Sequence, residues 1–132
     1  MTSHYMGCVV KASFGSVFDV LSQAFGNIYA KKYGKPSESL VGIILGEKYF
    51  FRVESDAAIL MILKELPSDE TKVEIISCAG GHGLLSISYS AHSDYVHDVK
   101  NFLTNSGFKI EHEEEISYFD REKCLRLLGN EP

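Results

Sequence analysis

The sequence predicts one α+β domain over residues 1–132, with a mainly antiparallel sheet and helices packed on one face. Three observations lead to this prediction. The chain has 132 residues, a length typical of one domain. Between residues 40 and 90, apolar runs alternate with turn residues roughly every eight to twelve positions, as in a meander of antiparallel strands. Segments with helical apolar spacing lie on both sides of this region.

The first predicted elements are a strand over residues 5–12 and a helix that follows it. Ser16 and Asp19 resemble a capping pair, and the Asp19 carboxylate suits the positive end of a helix dipole. Gly34 can end the helix in a left-handed conformation, and Pro36 prevents its continuation. The apolar residues at helical spacing are Val17, Leu21, Ala24 and Ile28.

The middle of the chain predicts a meander of about five strands. Its turn residues include the pair at 46–47 and the pair at 55–56. Residues 57–66 are ambiguous, because Ala, Leu and Met are also good helix formers. As a helix this segment would be apolar on every side, whereas a strand fits the spacing of the meander, so we favour a strand. Residues 84–90 alternate apolar and serine side chains, which predicts a strand with one wet face.

The last part of the chain predicts a helix over residues 93–105, a strand over 108–116 and a short C-terminal helix. Ser117 and Asp120 form the capping pair of that last helix, and Gly129 ends it. The longer helix carries a single apolar stripe, which consists of Tyr95, Val96, Val99, Phe102 and Leu103.

Composition excludes several classes of function. Thirteen basic and eighteen acidic residues give a net charge of −5, which argues against nucleic acid as a partner, because phosphate binding requires a basic surface. The longest apolar run is far shorter than a membrane span, and we expect no signal peptide. Three widely spaced cysteines without a CxxC pair predict reduced thiols and a cytoplasmic location.

The segment over residues 78–98 concentrates cysteine, histidine, aspartate and glycine. It does not predict a metal site. His92 and His97 are five residues apart, so on a helix they point in directions that differ by about 140°. Cys78 and His82 match no standard spacing of zinc ligands. We therefore predict no metal and no cofactor.

The glycines of this segment predict a wide hairpin turn between two strands. The segment lacks the GxxxxGK[ST] pattern of a phosphate-binding loop, although backbone N–H groups at Gly80, Gly81 and His82 can bind a small anion. Candidate catalytic residues are Cys78 and His82 as a thiolate–imidazole couple, with Asp94 orienting the histidine. A buried, inert cysteine is the favoured alternative.

An acidic run near the C-terminus places Glu111, Glu113 and Glu115 on one face of the last predicted strand. These carboxylates can bind a cation or a basic partner. We favour a structural interpretation, in which charge protects an edge strand from unwanted pairing.

The predicted layout resembles helix-grip and related α+β folds, in which helices pack across a curved antiparallel sheet. Such folds often hold an apolar ligand between sheet and helix. The first hypothesis is a non-catalytic domain that forms a homodimer through its sheet, because two helices leave apolar residues of the meander uncovered. The alternative is a binding domain for a small apolar or aromatic ligand. Its predicted lining is Tyr49, Phe51, Tyr89, Gly80, Gly81 and His82. A less favoured hypothesis is an enzyme that uses Cys78 and His82.

Overall fold

A computed structural model describes residues 2–35, 37–50, 55–79 and 85–129. The described residues form one six-stranded antiparallel sheet and three helices, which confirms the predicted α+β class. The strand order is β2-β3-β4-β5-β1-β6. The elements in chain order are β1 (Thr2–Val10), α1 (Phe14–Phe25), β2 (Tyr29–Tyr33), β3 (Val41–Phe50), β4 (Ser55–Leu66), β5 (Glu70–Ala79), α2 (Leu85–Asn105), β6 (Ile110–Ser117) and α3 (Arg121–Lys123), which continues as a π-helical turn over Cys124–Leu128.

The core lies between the sheet and helices α1 and α2, which pack on the same face of the sheet. Residues of β5 alternate between buried and partly exposed, so one side of every central strand points at the helices. Burying an aliphatic side chain of this size stabilises the fold by about 1.5–3 kcal/mol. Fully buried members of the core are Val17, Leu21, Ile44, Met61, Ile75 and Val99.

Residues 57–66 belong to strand β4, as favoured from the sequence. Ala57, Ile59, Met61 and Leu63 point at the helices and are buried. The alternate residues lie on the other face of the sheet and are partly exposed. A strand in the middle of a sheet contacts neighbours on both edges and uses both faces, which explains a continuous apolar run.

Helix α1 is shorter than predicted. Its N-cap is Ser13, whose Oγ accepts a hydrogen bond from the Ser16 backbone N–H at 3.3 Å, so the expected Ser16–Asp19 capping pair is wrong. The helix ends at Phe25, and Gly26 is its C-cap. Residues 29–33 form strand β2 instead of the last helical turns, because their backbone pairs with β3.

Gly46 lies inside strand β3 and not in the turn predicted at 46–47. The turn predicted at 55–56 is also wrong, because Ser55 and Asp56 belong to β4, and the meander has the three strands β3, β4 and β5 instead of about five.

A Cβ atom at Gly46 would overlap the carbonyl oxygen of Phe25, at the end of α1. The chain is held here by Asn27, whose Nδ2 donates to the Glu47 carbonyl at 3.0 Å and whose Oδ1 accepts from the Glu47 N–H at 2.8 Å. Glycine therefore permits the close approach of a helix end to a strand.

The strand predicted over residues 84–90 is wrong, because α2 begins at Leu85. Strand β5 already pairs with β4 along one edge and with β1 along the other, so no further strand can form a hairpin with it. The glycine-containing loop at 80–83 lies outside the described residues. The described elements on either side are strand β5 and helix α2, so the hairpin predicted between two strands is wrong.

Strand β6 is an edge strand, as expected, but its three glutamates do not share one face. The pairing with β1 shifts register between Gly7 and Val9, and His112 adopts a positive φ of 53°. This bulge places Glu111 opposite Val9 and Glu115 opposite Met6, on opposite faces of the sheet.

The C-terminal helix begins at Arg121 with Asp120 as its N-cap, whose side chain accepts from the Lys123 N–H at 2.8 Å. Asp120 therefore takes the capping position expected for Ser117. Gly129 follows the last turn with a positive φ of 63°, in agreement with the predicted end.

We predict that Gly46→Ala destabilises the protein by at least about 3 kcal/mol, because the new methyl group must displace backbone. The matched control is Gly15→Ala in α1, where an added Cβ meets nothing within 4 Å. This control should be neutral or stabilise by about 0.5–1 kcal/mol. Urea unfolding monitored by circular dichroism measures both, and equal stability of the two variants would contradict the contact.

Candidate functional site

The sheet face opposite α1 and α2, here called the open face, carries a continuous apolar row. Directly paired residues of neighbouring strands point to the same side of a sheet, so the strand register defines the rows. This row crosses all six strands. Its members are Tyr29, Leu45, Leu60, Ile76, Tyr5 and Ile116.

The adjacent row has charge at both ends and an aliphatic centre. Its positive end is Lys31 on β2, and its negative residues are Glu74 on β5 and Glu114 on β6. Ile43 and Ile62 lie between them. The open face is therefore basic towards β2, acidic towards β6 and aliphatic in the middle.

The chain after β6 covers one corner of the open face. Phe119 stacks on Tyr5 with ring centroids 5.0 Å apart, and Ser3 donates a hydrogen bond to the Phe119 carbonyl. Tyr5 is consequently 1% exposed, and its hydroxyl donates to Glu74 at 2.7 Å. Within the described residues, the aliphatic centre contributed by β3 and β4 remains partly exposed. Part of the face is thus covered by the chain itself, and its centre is available.

A second constellation lies on the helix-covered face, where His4, His97 and Glu115 converge. This is the His–Glu cluster. His4 on β1 is 2% exposed, and its Nε2 lies 2.5 Å from Glu115 Oε1. His97 on α2 places its own Nε2 2.7 Å from the same oxygen. The two imidazole rings are nearly perpendicular, at 76°, with centroids 6.0 Å apart. Three elements that are distant in sequence therefore meet at one carboxylate oxygen.

The cluster is closed on one side and open on the other. The side chains of His97 and Glu115 are 47% and 40% exposed, whereas His4 is buried in the core. Partial burial opposes ionisation of Glu115, but hydrogen bonds and charge from His4 and His97 outweigh it, so the pKa of the Glu115 carboxyl is lowered. The carboxylate is therefore the charged partner of two imidazoles.

Further polar groups lie beside the His–Glu cluster, and one of them is buried. Ser77 pairs directly with His4 across β1 and β5, and it is fully buried. Its Oγ has no hydrogen-bond partner within the part of the chain that the structure describes. Next to the cluster on the same face, Lys100 forms an ion pair with Glu113 at 2.9 Å. The edge of the helix-covered face at β6 is thus polar, unlike its centre.

A surface cleft of about 300 Å³ lies between the end of α1, strand β3 and helix α2. Phe25 and Tyr95 supply its aromatic walls, with ring centroids 6.3 Å apart. Lys48 lines the cleft and forms an ion pair with Asp98 at 3.1 Å. Burial raises the pKa of Tyr95 to about 12, so its hydroxyl stays protonated at neutral pH.

The structure describes two of the six residues that were predicted to bind a ligand. Tyr49 lies near the end of β3, and Tyr89 lies in α2 instead of a strand. Phe51, Gly80, Gly81 and His82 lie outside the described residues, so this predicted ligand site stays a prediction.

The candidate catalytic residues are not assembled by the described part of the structure. Cys78 lies near the end of β5 on the open face, where it pairs with Ser3 and Ala58. Asp94 lies in the middle part of α2. Burial raises the pKa of the Cys78 thiol above its ordinary value of 9.0, which disfavours a thiolate. The pairing of Cys78 with His82 stays a prediction.

Sequence reasoning missed His4 and Glu115 as partners of His97. The predicted first strand started at residue 5, one position beyond His4. Had the strand been extended, His4 would have shared a face with Met6 and Cys8, and a histidine in a buried row requires a polar partner. Glu115 was recognised as part of an acidic edge, but the register that places it beside β1 depends on the bulge at His112.

We predict that Cys78 alkylates slowly at neutral pH. Because burial raises its pKa, a smaller fraction of the thiol is ionised at pH 7 than in a free cysteine, and the rate with iodoacetamide at pH 7 should be below that of glutathione. Peptide mapping by mass spectrometry follows Cys78 separately from Cys8 and Cys124. A rate that exceeds the free thiol and is constant from pH 6 to 8 would instead support a Cys78–His82 couple.

Comparisons with protein-family models, curated proteins and solved structures found no match to this chain. No helix in the described ranges combines the length and the hydropathy needed to cross a bilayer. All three cysteines are free thiols. The features of the molecule that bear on its function are consequently the open face, the His–Glu cluster and the cleft.

Proposed function

We propose that this protein is a non-catalytic domain that self-associates as a homodimer through the open face of its sheet. The observation that supports the proposal is the partly exposed aliphatic centre of the open face, to which Ile43, Leu45, Leu60 and Ile62 contribute. Monomeric proteins rarely leave a large contiguous apolar patch in water, and such a patch commonly marks an interaction surface. Burial of its aliphatic centre against a second copy supplies the driving force for association.

The distribution of charge on the open face suits a symmetric pair. A two-fold axis parallel to the strands, between β4 and β5, places β2 of one subunit over β6 of its partner. Leu60 of each subunit then faces Ile76 of the other, and Lys31 faces Glu114. Like charges at Lys64 and Lys72 lie near the β4–β5 turn at the end of the face, where their long side chains reach solvent.

The area of the open face is close to the area that each partner buries in a stable dimer. Six strands about 4.8 Å apart, with four rows about 7 Å apart, give a surface of roughly 600–700 Å² per subunit. Stable interfaces bury about 800 Å² per partner. Two such sheets pack face to face about 10 Å apart, as in a sandwich.

We predict that Leu60→Glu converts the dimer into a folded monomer. Two carboxylates would be buried at the centre of the interface, and the dimer dissociation constant should rise by at least about 100-fold. Sedimentation velocity at micromolar concentration measures the change. Leu125→Glu is the matched control, because Leu125 is 62% exposed and lies outside the sheet. A wild-type protein that sediments as a monomer at 100 µM would refute the proposal.

The charge pairs provide a test of the orientation of the two subunits. Lys31→Glu and Glu114→Lys should each weaken the dimer, because each brings like charges together at two symmetric contacts. The double variant Lys31→Glu/Glu114→Lys should restore the wild-type dissociation constant. If the double variant is weaker than both single variants, the two-fold axis between β4 and β5 is wrong.

A second candidate function is the binding of a small ligand in the surface cleft at the end of α1. The observation that favours it is the combination of two aromatic walls with polar groups in a cavity of about 300 Å³, at the lower limit of typical ligand sites. The cleft opens at the surface, whereas the described core residues between sheet and helices are buried, so the cleft is accessible to a ligand from solvent.

We predict that Ala24→Trp, which fills the cleft, removes any small molecule that co-purifies with the protein. Gln23→Trp is the matched control, since Gln23 is the exposed neighbour and does not line the cleft. Native mass spectrometry reports the bound mass in each variant. A ligand retained by Ala24→Trp, or none in the wild type, would contradict this candidate function.

A further inference from the structure

We propose that His4, His97 and Glu115 form a binding site for a divalent transition-metal ion such as Zn²⁺ or Fe²⁺. The two Nε2 atoms and one carboxylate oxygen lie within 4.8 Å of one another. Two imidazoles and one carboxylate are a ligand set typical of catalytic zinc sites and of non-haem iron sites.

The geometry requires a small adjustment to admit an ion. Tetrahedral ligands about 2.0–2.2 Å from zinc are roughly 3.3 Å from one another. The present separations to Glu115 Oε1 are 2.5 and 2.7 Å, so the ligand atoms must separate by less than about 1 Å. His97 and Glu115 are close to half exposed and can rotate, while the buried His4 stays fixed.

The direction of the rings allows an ion to replace the hydrogen bonds of the cluster. Both Nε2 atoms lie close to the same Glu115 oxygen, and they approach it from rings that are nearly perpendicular. When both Nε2 atoms are deprotonated, their lone pairs point into the space beside this oxygen from different directions. An ion placed there would take one ligand atom from each of the three side chains.

The exposed side of the cluster leaves room for water or a substrate as a further ligand. Three protein ligands leave one coordination position for such an exchangeable ligand, whereas the four protein ligands of a closed structural site leave none. The buried Ser77 hydroxyl beside His4, which has no partner among the described residues, adds a second polar group at the base of the site. The cluster lies on the face opposite the proposed dimer interface, so the two proposals are independent.

The experiment uses the untagged full chain, stripped of metal with a chelator and titrated with Co²⁺. Binding should produce the visible absorption of low-symmetry Co²⁺, and competition with Zn²⁺ gives the zinc affinity. His97→Ala and Glu115→Gln should each weaken zinc binding by at least about 100-fold, since they remove direct ligands. Zinc should raise the melting temperature of the wild type and not that of these variants.

Two variants provide matched controls. His112→Ala removes an exposed histidine of β6 that lies outside the cluster, and His82→Ala removes the histidine of the glycine-rich loop. Both should bind zinc with wild-type affinity, and circular dichroism verifies that each variant is folded. Wild-type affinity in His97→Ala and Glu115→Gln would overturn the proposal. Loss of binding in His82→Ala alone would assign the ion to the loop, and the absence of binding at 100 µM zinc would also refute the site.

Discussion

The insertion of β1 between β5 and β6 is the constraint on which the rest of the structure depends. Because β1 and β4 occupy both edges of β5, the chain that leaves β5 at Ala79 has no strand to join. It returns across the sheet as helix α2, and the last strand then pairs with the outer edge of β1. The N-terminal strand thereby contacts both the helix and the acidic edge strand, which is how His4 meets two residues from the far end of the chain.

The fold class was predictable because it depends on patterns that are local in sequence. The apolar run of residues 57–66 and the stripe on α2 each reflect the period of one element. The errors have a common physical origin. Residues 29–33 have no strong preference, and their pairing with β3 decides their conformation. Residues 85–90 alternate like a strand, yet the sheet offers no free edge beside β5.

The candidate sites were predictable to different degrees. An uncovered apolar surface follows from counting apolar side chains against two helices, and the register shows that they align in a row on the open face. The His–Glu cluster could not be predicted in the same way. The cluster depends on a contact between residues 4 and 115, which are far apart in sequence. It also depends on where helix α2 packs and on the bulge at His112, neither of which the sequence indicates. Patterns that are local in sequence therefore predict an uncovered apolar surface but not the His–Glu cluster.

The bulge at His112 directs the glutamates of β6 to both faces of the sheet. Without it, Glu111, Glu113 and Glu115 would all point in the same direction, and Glu114 would point to the other face. With it, Glu111 and Glu114 project to the open face, whereas Glu113 and Glu115 project to the side of Lys100 and His97. A single extra residue thus divides the acidic charge of β6 between the open face and the His–Glu cluster, so that either group can change in sequence without altering the other.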